Sequence, residues 1–478
     1  MIKSGENNKV NKNEIYVLTI TDLDQDGNGI GHIQENGMAV FVKDTVPGDE
    51  AEVRIIKVKK NLAFGRLERI RKPSPDRVEP LCPKARACGG CMLQQMSYEA
   101  QLRFKEQKVR NCLTRIGGVT LGEDQGAVLE PVVGMESPWR FRNKMQFPVG
   151  KGKDGQPALG FYAGRTHALI PLEDCPIGHF FNRAVLDAVK EWIRRTGISL
   201  YDETTHKGVL RHVLTRVGFA TGQAMVCLII NGTKVPRQDL LWDLLAARIE
   251  QEKAGCKLES LMININQDKT NRILGFCSEV LRGSAFIEDR ISDLTFRISP
   301  QSFYQVNPVQ TQKIYQKALD LADLSGNETV WDMYCGTGTI SLFLARKARK
   351  VYGVEIVEDA IRDARNNARI NNITNAEFFV GKAEEVVPRW FEKEGKETRI
   401  DVVVVDPPRK GCDEKLLETI LQMDPKRLVY VSCDPATLSR DVRYLSEHGF
   451  SLISAQPFDA FCHSGHVETV ALLKRKNG

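Results

Sequence analysis

Two short apolar runs end in residues that could do chemistry. Leu428-Val429-Tyr430-Val431-Ser432 reads as a buried strand that stops at Cys433, with Asp434-Pro435 behind it. Proline cannot continue a ladder, which puts Cys433 at the carboxyl end of a strand. Upstream, Ile400-Asp401-Val402-Val403-Val404-Val405 ends in the same way, in Asp406-Pro407-Pro408-Arg409. Ligands of open α/β sheets bind at that edge, so an acid and a thiol are expected there together. A lone cysteine is more often a small buried hydrophobe, and what the rest of the chain supplies decides between packing and nucleophilic attack.

A ligand site is expected on the same sheet. Thr329-Val330-Trp331-Asp332-Met333-Tyr334 reads as a strand running into Cys335-Gly336-Thr337-Gly338-Thr339, with a helix from Ile340. Gly336 and Gly338 permit a tight turn and close backbone approach to a ligand. The next strand, Lys350 to Val354, ends in Glu355, about twenty residues beyond Asp332, where an acid can bind both hydroxyls of a ribose. A dinucleotide fingerprint is incomplete, because Ser341 stands at the third glycine position. With the acid and thiol strands next, and a closing pair at Phe450 to Gln456 and Val467 to Lys474, the order resembles a Rossmann-like class I S-adenosylmethionine methyltransferase domain over residues 296–478.

With 478 residues, 42% of them hydrophobic, the chain is sized for roughly two to four domains with real cores. No apolar run reaches the ~18 residues of a membrane span, and Met1 to Asn13 lacks the apolar stretch of a signal peptide. A cytoplasmic protein is expected, and a monomer. Twelve cysteines in such a chain suggest metal ligands or nucleophiles rather than disulfides. The net charge of +6 is compatible with a polyanion partner without requiring one.

Residues 10–72 read as an all-β unit. Alternating runs at Glu14 to Thr21, Ala39 to Val42 and Glu50 to Val58 are separated by turn clusters at Asp26 to Gly29 and Val46 to Asp49, which suggests a small OB-type barrel. Its last part carries Arg54, Lys57, Lys59, Lys60, Arg66, Arg69, Arg71 and Lys72 around Phe64, a mix of charge and ring suited to single-stranded RNA. Gly27 to Gly31 and Val46 to Glu50 make the segment resemble a TRAM domain, an RNA-binding barrel.

A proline-marked linker leads into a central α+β region, 73–295. Cys82, Cys88 and Cys91 fall within ten positions, and Cys175 is the best candidate for a fourth thiolate. Four cysteines suit zinc or an iron–sulfur cluster equally. Ser97 to Ile116 reads as an amphipathic helix capped by Ser97 and stopped by Gly117-Gly118; it could pack on the catalytic domain. Further on, Pro138-Trp139-Arg140-Phe141-Arg142-Asn143-Lys144 interleaves rings with cations, which suits base stacking and phosphate contact, though core packing beside a charged edge accounts for it nearly as well.

Residues 14–478 together resemble the RNA uracil-C5 methyltransferase family, and within it the 23S ribosomal RNA enzymes. The resemblance implies S-adenosylmethionine as cofactor, with Gln305 of Ser299-Pro300-Gln301-Ser302-Phe303-Tyr304-Gln305 and Tyr334 contacting it, Glu355 on its ribose, and Asp406 between cofactor and uracil. It implies Cys433 as nucleophile and Glu468, in His466-Val467-Glu468-Thr469, as general base. It also implies a [4Fe–4S] cluster on Cys82, Cys88, Cys91 and Cys175. Two positions depart from the family: Thr339 replaces a common asparagine but can still hydrogen-bond, and Lys382 stands where an asparagine is frequent.

These types fit one reaction. Uracil C5 is a poor nucleophile, and a thiolate adding to C6 turns the ring into an enolate whose C5 can accept a methyl group. Such a thiol is expected to ionise below its reference value. A base must then take the C5 proton so that the cysteine can leave, and the target base must be flipped out of its stack. RNA is the expected partner, with no DNA or membrane. The competing substrates are transfer RNA, or a purine amine; the latter class typically has an aromatic after Asp-Pro-Pro, where this chain has Arg409.

Overall fold

Alternation builds the N-terminal barrel. Along Glu50–Val58, every second side chain (Ala51, Val53, Ile55) points inward, the period of a half-buried strand. In the computed structural model this strand closes a barrel with Ile15–Leu23, Gly29–His32, Ala39–Val42 and Leu62–Lys72. Leu18, Ile20, Val40, Val42 and Ala63 fill it. Gly65 allows the strands to close up, since a Cβ there would lie 2.1 Å from Val53 Cγ1.

Described residues are 10–122, 126–164, 166, 168–395 and 398–476; most of the polar N-terminal stretch, Met1–Lys9, lies outside them. They form two units, one of residues 1–108 with 461–466, the other of residues 109–460 with 467–478.

Strand pairing neutralises half of the basic run. Only Glu68 stands between these cations in sequence, but the barrel sets Glu52 opposite Arg69. Arg69 and Arg71 share Glu52, both at 2.7 Å, and Arg54 and Arg66 share Glu68, both at 2.8 Å. Among the described residues the cations of the run without an acid partner are Lys72, at the far end of its strand, and Lys57, Lys59 and Lys60, at the strand turn. There the Lys59 ammonium lies 5.5 Å from the centre of the Phe64 ring, itself 5.8 Å from that of Phe41.

One buried acid ties the barrel to the chain that follows it. Asp49 accepts from Val46 N at 2.7 Å, Ser74 N at 2.9 Å and the Arg77 guanidinium at 2.5 and 2.9 Å. Burial alone would raise its carboxyl, but these hydrogen bonds outweigh burial and hold it below its ordinary value. The helix Tyr98–Arg115 then begins at Ser97, whose hydroxyl accepts from Ala100 N at 3.4 Å.

Two large sheets and a two-stranded one, Ile287–Ile291 with Leu294–Ile298, make up the second unit among the described residues. In the first, among the described residues, the order is Cys277–Gly283, Lys257–Ile265, Gln223–Ile230, Leu210–Val217, Lys144–Lys151, Pro157–Tyr162, Leu169–Pro171, with the helices Phe181–Thr196 and Gln238–Gln251 packed together. The second runs Ala376–Val380, Lys350–Glu355, Thr329–Met333, Val402–Val405, Arg427–Ser432, Glu468–Arg475, Phe450–Phe458, Val128–Leu129. Its first five strands are parallel and Glu468–Arg475 is antiparallel to both neighbours. Strand order reverses beside Thr329–Met333, the position where open α/β sheets bind ligands. The central run Val402 to Val405 is wholly apolar and buried throughout, as expected of a parallel strand covered on both faces. Val109 and Leu113 are buried in the core of this sheet with Leu438 and Val442.

Replacing Arg77 by Met should leave Asp49 buried without its cation and lower the stability of the first unit by about 3–5 kcal/mol, read as the first urea transition. Because the Asp49 carboxyl is held low, the stabilisation it gives is full above its unfolded value and is lost as pH falls through the folded one. The gap between wild type and Arg77→Met should therefore narrow in acid.

Candidate active site

The register of the second sheet delivers four side chains to one edge. Met333 pairs with Val405, and Val405 with Tyr430, so Tyr334 and Asp406 leave neighbouring strands together; Asp406 N donates to Met333 O at 3.3 Å. Ser432 pairs with Thr469 across an antiparallel ladder. One step further along each chain come Cys433 and Glu468, which emerge as neighbours.

Cys433 occupies the joint between strand and helix. Ser432 Oγ donates to Asp434 O at 2.9 Å, and the Asp434 carboxylate caps Pro435–Glu447 by accepting from Ala436 N at 2.9 Å and Thr437 N at 3.2 Å. A helix N-terminus favours a thiolate, but the surroundings oppose it. Burial, then the nearby Glu468 and Asp406 carboxyls, push the thiol up to about 11, with Arg409 pulling the other way. The free enzyme therefore holds a thiol, contrary to the expected lowering.

The acids are perturbed in the same sense. Burial drives Glu468 up to about 8, with Asp406 adding and Arg409 opposing; burial alone takes Asp406 to about 7. Asp332, fully buried one turn of chain from the glycines, also rises to about 7 through burial and the Asp406 and Glu355 charges, while the hydrogen bond from Ser341 Oγ to its Oδ2 resists. Tyr315 lies among them: its phenol, raised by burial, feels Asp406, Asp332 and Glu468, and its hydroxyl is 2.8 Å from Thr339 Oγ1. Perturbed groups gathered at one edge of the sheet mark a functional site.

The predicted cofactor residues border the same edge. Tyr334 turns the chain with φ 68°, followed by Gly336 at 55° and Gly338 at 78°. A Cβ on Gly338 would lie 3.0 Å from Ala364 Cβ, whereas one on Gly336 would meet nothing within 4 Å, which leaves its backbone open to a ligand. Glu355 is held at its strand end by Gly336 N at 3.3 Å and Val357 N at 2.9 Å. Ile356 and Val357 beside it are exposed. Gln305 is positioned through its carbonyl, which accepts from Asn143 Nδ2 at 2.9 Å, and through Thr337 Oγ1 donating to Phe303 O at 3.2 Å. An acid for ribose hydroxyls, exposed aliphatic groups for adenine and an open glycine turn suit S-adenosylmethionine. Lys382 instead pairs with Glu385 on its own helix at 3.3 Å.

Cys82, Cys88 and Cys91 lie half-buried in the first unit and Cys175 is buried in the second. Burial pushes the Cys88 thiol up. Among the described residues no group of three or more His, Cys, Asp or Glu is arranged to hold a metal ion.

Asp332 and Tyr315 went unrecognised in the sequence. Asp332 served only as a spacing marker, and an acid inside an apolar strand was the available signal; Tyr315 sits in a helix, Pro308–Ala322, with nothing to separate it from core.

Comparison with known proteins bears on this geometry. The family model described as tRNA (Uracil-5-)-methyltransferase matches residues 185–476, which include the whole site. The chain belongs to that family. A TRAM domain model matches residues 9–67. An uncharacterized RNA methyltransferase of Halalkalibacterium halodurans is 48% identical over 468 residues, 98% of each chain; one from Clostridium tetani is 48% identical over 464 residues, 97% of each. The structure of Pyrococcus abyssi tRNA (uracil-54, C5)-methyltransferase in complex with S-adenosyl-L-homocysteine matches with TM-score 0.74 at 27% identity, covering 96% of this chain and 100% of that one. This uracil-5-methyltransferase is thus an S-adenosylmethionine-dependent RNA-modifying enzyme with an RNA-binding TRAM barrel. Among its described residues no helix is long and apolar enough to cross a membrane.

The raised Glu468 has a consequence for stability. With the folded carboxyl near 8 against 4.5 in the unfolded chain, the folded enzyme keeps a proton that the unfolded chain loses. Stability from this group is fully present below 4.5 and declines as pH rises towards 8. Glu468→Gln removes that decline, so its melting midpoint should fall less than that of wild type between about pH 5 and about pH 8, followed by calorimetry.

Proposed function

We propose that the enzyme methylates C5 of a uridine in 23S ribosomal RNA through a covalent intermediate, with Cys433 as nucleophile, Glu468 as general base and Asp406 positioning uracil against the cofactor. The observation that supports this most directly is the pairing of Ser432 with Thr469, which sets a thiol and a buried carboxyl side by side at the ligand edge. Cys433 Sγ gives up its proton to solvent and bonds to C6; the C5–C6 π pair shifts between C4 and C5 and the carbonyl pair onto O4, an enolate nucleophilic at C5. S-adenosylmethionine, which Gln305, Tyr334, Gly336, Gly338, Thr339 and Glu355 would hold, supplies the electrophilic methyl group and leaves as S-adenosylhomocysteine. Glu468 takes the C5 proton, the C5–C6 double bond re-forms and the sulfur leaves. A carboxyl poised near 8 is a far better base than an ordinary one once deprotonated. Arg409 is the cation that favours the thiolate.

The division of labour we propose is RNA capture by 10–72, support by 73–295 and catalysis by 296–478, in the cytoplasm. A transfer RNA target is the second reading, favoured by likeness along the whole chain to the Pyrococcus abyssi enzyme. Methylation of a purine amine is disfavoured by Arg409 and by the adjacent thiol and carboxyl. For a [4Fe–4S] cluster on Cys82, Cys88, Cys91 and Cys175 the support is the spacing of the first three and the match of all four to the family's ligand pattern. Iron retained by anaerobically purified enzyme and lost in Cys88→Ser would establish it; iron-free wild type would remove it.

Cys433→Ala should abolish both methylation and the RNA–protein adduct seen on denaturing gels while still binding S-adenosylhomocysteine. Glu468→Gln should form the adduct and release it about 10²–10⁴-fold more slowly. Mapping 5-methyluridine in ribosomal and transfer RNA from cells lacking the gene should show one or two positions of 23S ribosomal RNA unmodified. Loss confined to transfer RNA would select the second reading, and loss of an N-methylated purine would reject both.

A further inference from the structure

The chain that leads into Glu468 is held by one face of a helix. Residues 461–466 belong to the first unit, as does the helix Tyr98–Arg115 up to position 108, and the chain enters the second unit at Val467. Gln101, Lys105 and Lys108 are four and three residues apart, so they share a helix face, and all three bind this segment. Lys105 Nζ donates to Phe461 O at 3.0 Å and Lys108 Nζ to Gly465 O at 2.9 Å. Gly465 has no room for a side chain, since a Cβ there would lie 2.6 Å from Gln25 O.

Gln101 grips the middle of the segment. It is buried; its Oε1 accepts from His463 N at 3.1 Å, and its amide nitrogen lies 3.3 Å from His463 Nδ1. The same amide donates to Leu93 O at 3.0 Å and Met96 O at 2.8 Å, and Leu93 N donates to His463 O at 3.0 Å. One small network thus fixes both backbone polar groups of His463. That residue has φ 64°, a left-handed conformation that a bulky side chain keeps only where its surroundings enforce it. Strain of this kind clusters at functional sites, and Glu468 follows five residues on.

The sheet alone leaves Glu468 open to fraying. On the side of the thiol strand the last pair is Ser432 with Thr469, so Glu468 stands one residue beyond that ladder and pairs with Phe458 on its other side. Element ends open at little cost. A carboxylate that must meet one proton tolerates little displacement, because a misplacement of about 1 Å can cost roughly 10²-fold in rate.

We propose that Gln101 is a positioning residue for Glu468: by fixing His463 it sets where the strand Glu468–Arg475 begins, and so holds the carboxylate for the step that ends the reaction; this rests on the uracil-methylation reading above. In that step the C5 proton passes to the Glu468 carboxylate and the C–H pair re-forms the C5–C6 double bond. The C6–S bond breaks, and its pair leaves on the Cys433 sulfur. Methyl transfer is complete by then, so loss of Gln101 delays release of the RNA without impairing its capture.

The test uses full-length enzyme, RNA from cells lacking the gene, and Gln101→Met, which keeps the length of the side chain and removes its hydrogen bonds. In single turnover the RNA–protein adduct should form at the wild-type rate and decay about 10-fold more slowly, part of the roughly 10²–10⁴-fold that a general base contributes. In steady state kcat should fall while kcat/KM, set by the steps up to methyl transfer, stays as in wild type. Added to Glu468→Gln, the same substitution should slow decay no further, since a residue acting through another is not additive with it. Lys105→Met removes a second hold on the segment and should give the same pattern; it carries the test if Gln101→Met does not fold. Unchanged decay of the adduct overturns the proposal. An equal loss in kcat/KM or in S-adenosylhomocysteine affinity, or further slowing on top of Glu468→Gln, assigns Gln101 a general packing role and also overturns it. Failure of the uracil reading is seen separately, as absence of 5-methyluridine and of any adduct with wild-type enzyme.

Discussion

The site depends on one reversed strand. In a parallel sheet every strand brings its last residue to the ligand edge, so Tyr334, Asp406 and Cys433 all arrive there as strand-exit residues. Glu468 is a strand-entry residue. It reaches the same edge only because Glu468–Arg475 runs antiparallel to Arg427–Ser432. A slip of one residue in that ladder would turn Glu468 to the opposite face of the sheet. The hairpin with Phe450–Phe458, paired as far as Phe458 with Glu468, fixes the register from the other side.

That placement sets the electrostatics. Glu468 and Asp332 are buried and Asp406 is half-buried; all three charges act on Cys433 or on each other, and Arg409 counters them at Cys433 and Glu468. Burial disfavours charge, so the three carboxyls and the thiol are all shifted towards their neutral forms. That shift makes it tolerable to bring three carboxyls together out of water. It also means that ionisation accompanies occupancy, when substrates replace water and bring charge of their own. A base whose carboxyl is raised towards the working pH is matched to taking a weakly acidic proton. The stability given up at higher pH is the structural counterpart of that match.

Much of this was legible because strand ends are punctuated. Cys433 and Asp406 stand before prolines that stop their strands, and Gly336 and Gly338 mark the turn between strand and helix; local rules of backbone geometry suffice for all four. Glu468 has no such mark, and only a resemblance singled it out. Properties that depend on pairing or burial were not legible. Glu52 neutralises Arg69 and Arg71 through cross-strand register, so the basic run looked freer than it is. The direction of the Cys433 shift was reversed because the carboxyls around it come from strands distant in sequence.

Ser341 joins the sequence pattern to the chemistry. In a dinucleotide-binding turn the third glycine lets helix and strand approach closely. Here a hydroxyl takes that place and donates to Asp332, leaving Asp332 Oδ1 buried without a partner. The buried acid stands two residues before Tyr334, whose φ of 68° is uncommon for a bulky side chain and persists only where surrounding structure enforces it. Trp331, with its ring 5.1 Å from Trp390 and 5.3 Å from Tyr352, anchors the strand on its far face. The Ser341–Asp332 bond ties the strand to the helix after the turn. Between these two anchors the chain can pass through the strained conformation at Tyr334 and open Gly336 towards the ligand. The missing glycine is thus part of how this turn serves a methyl donor.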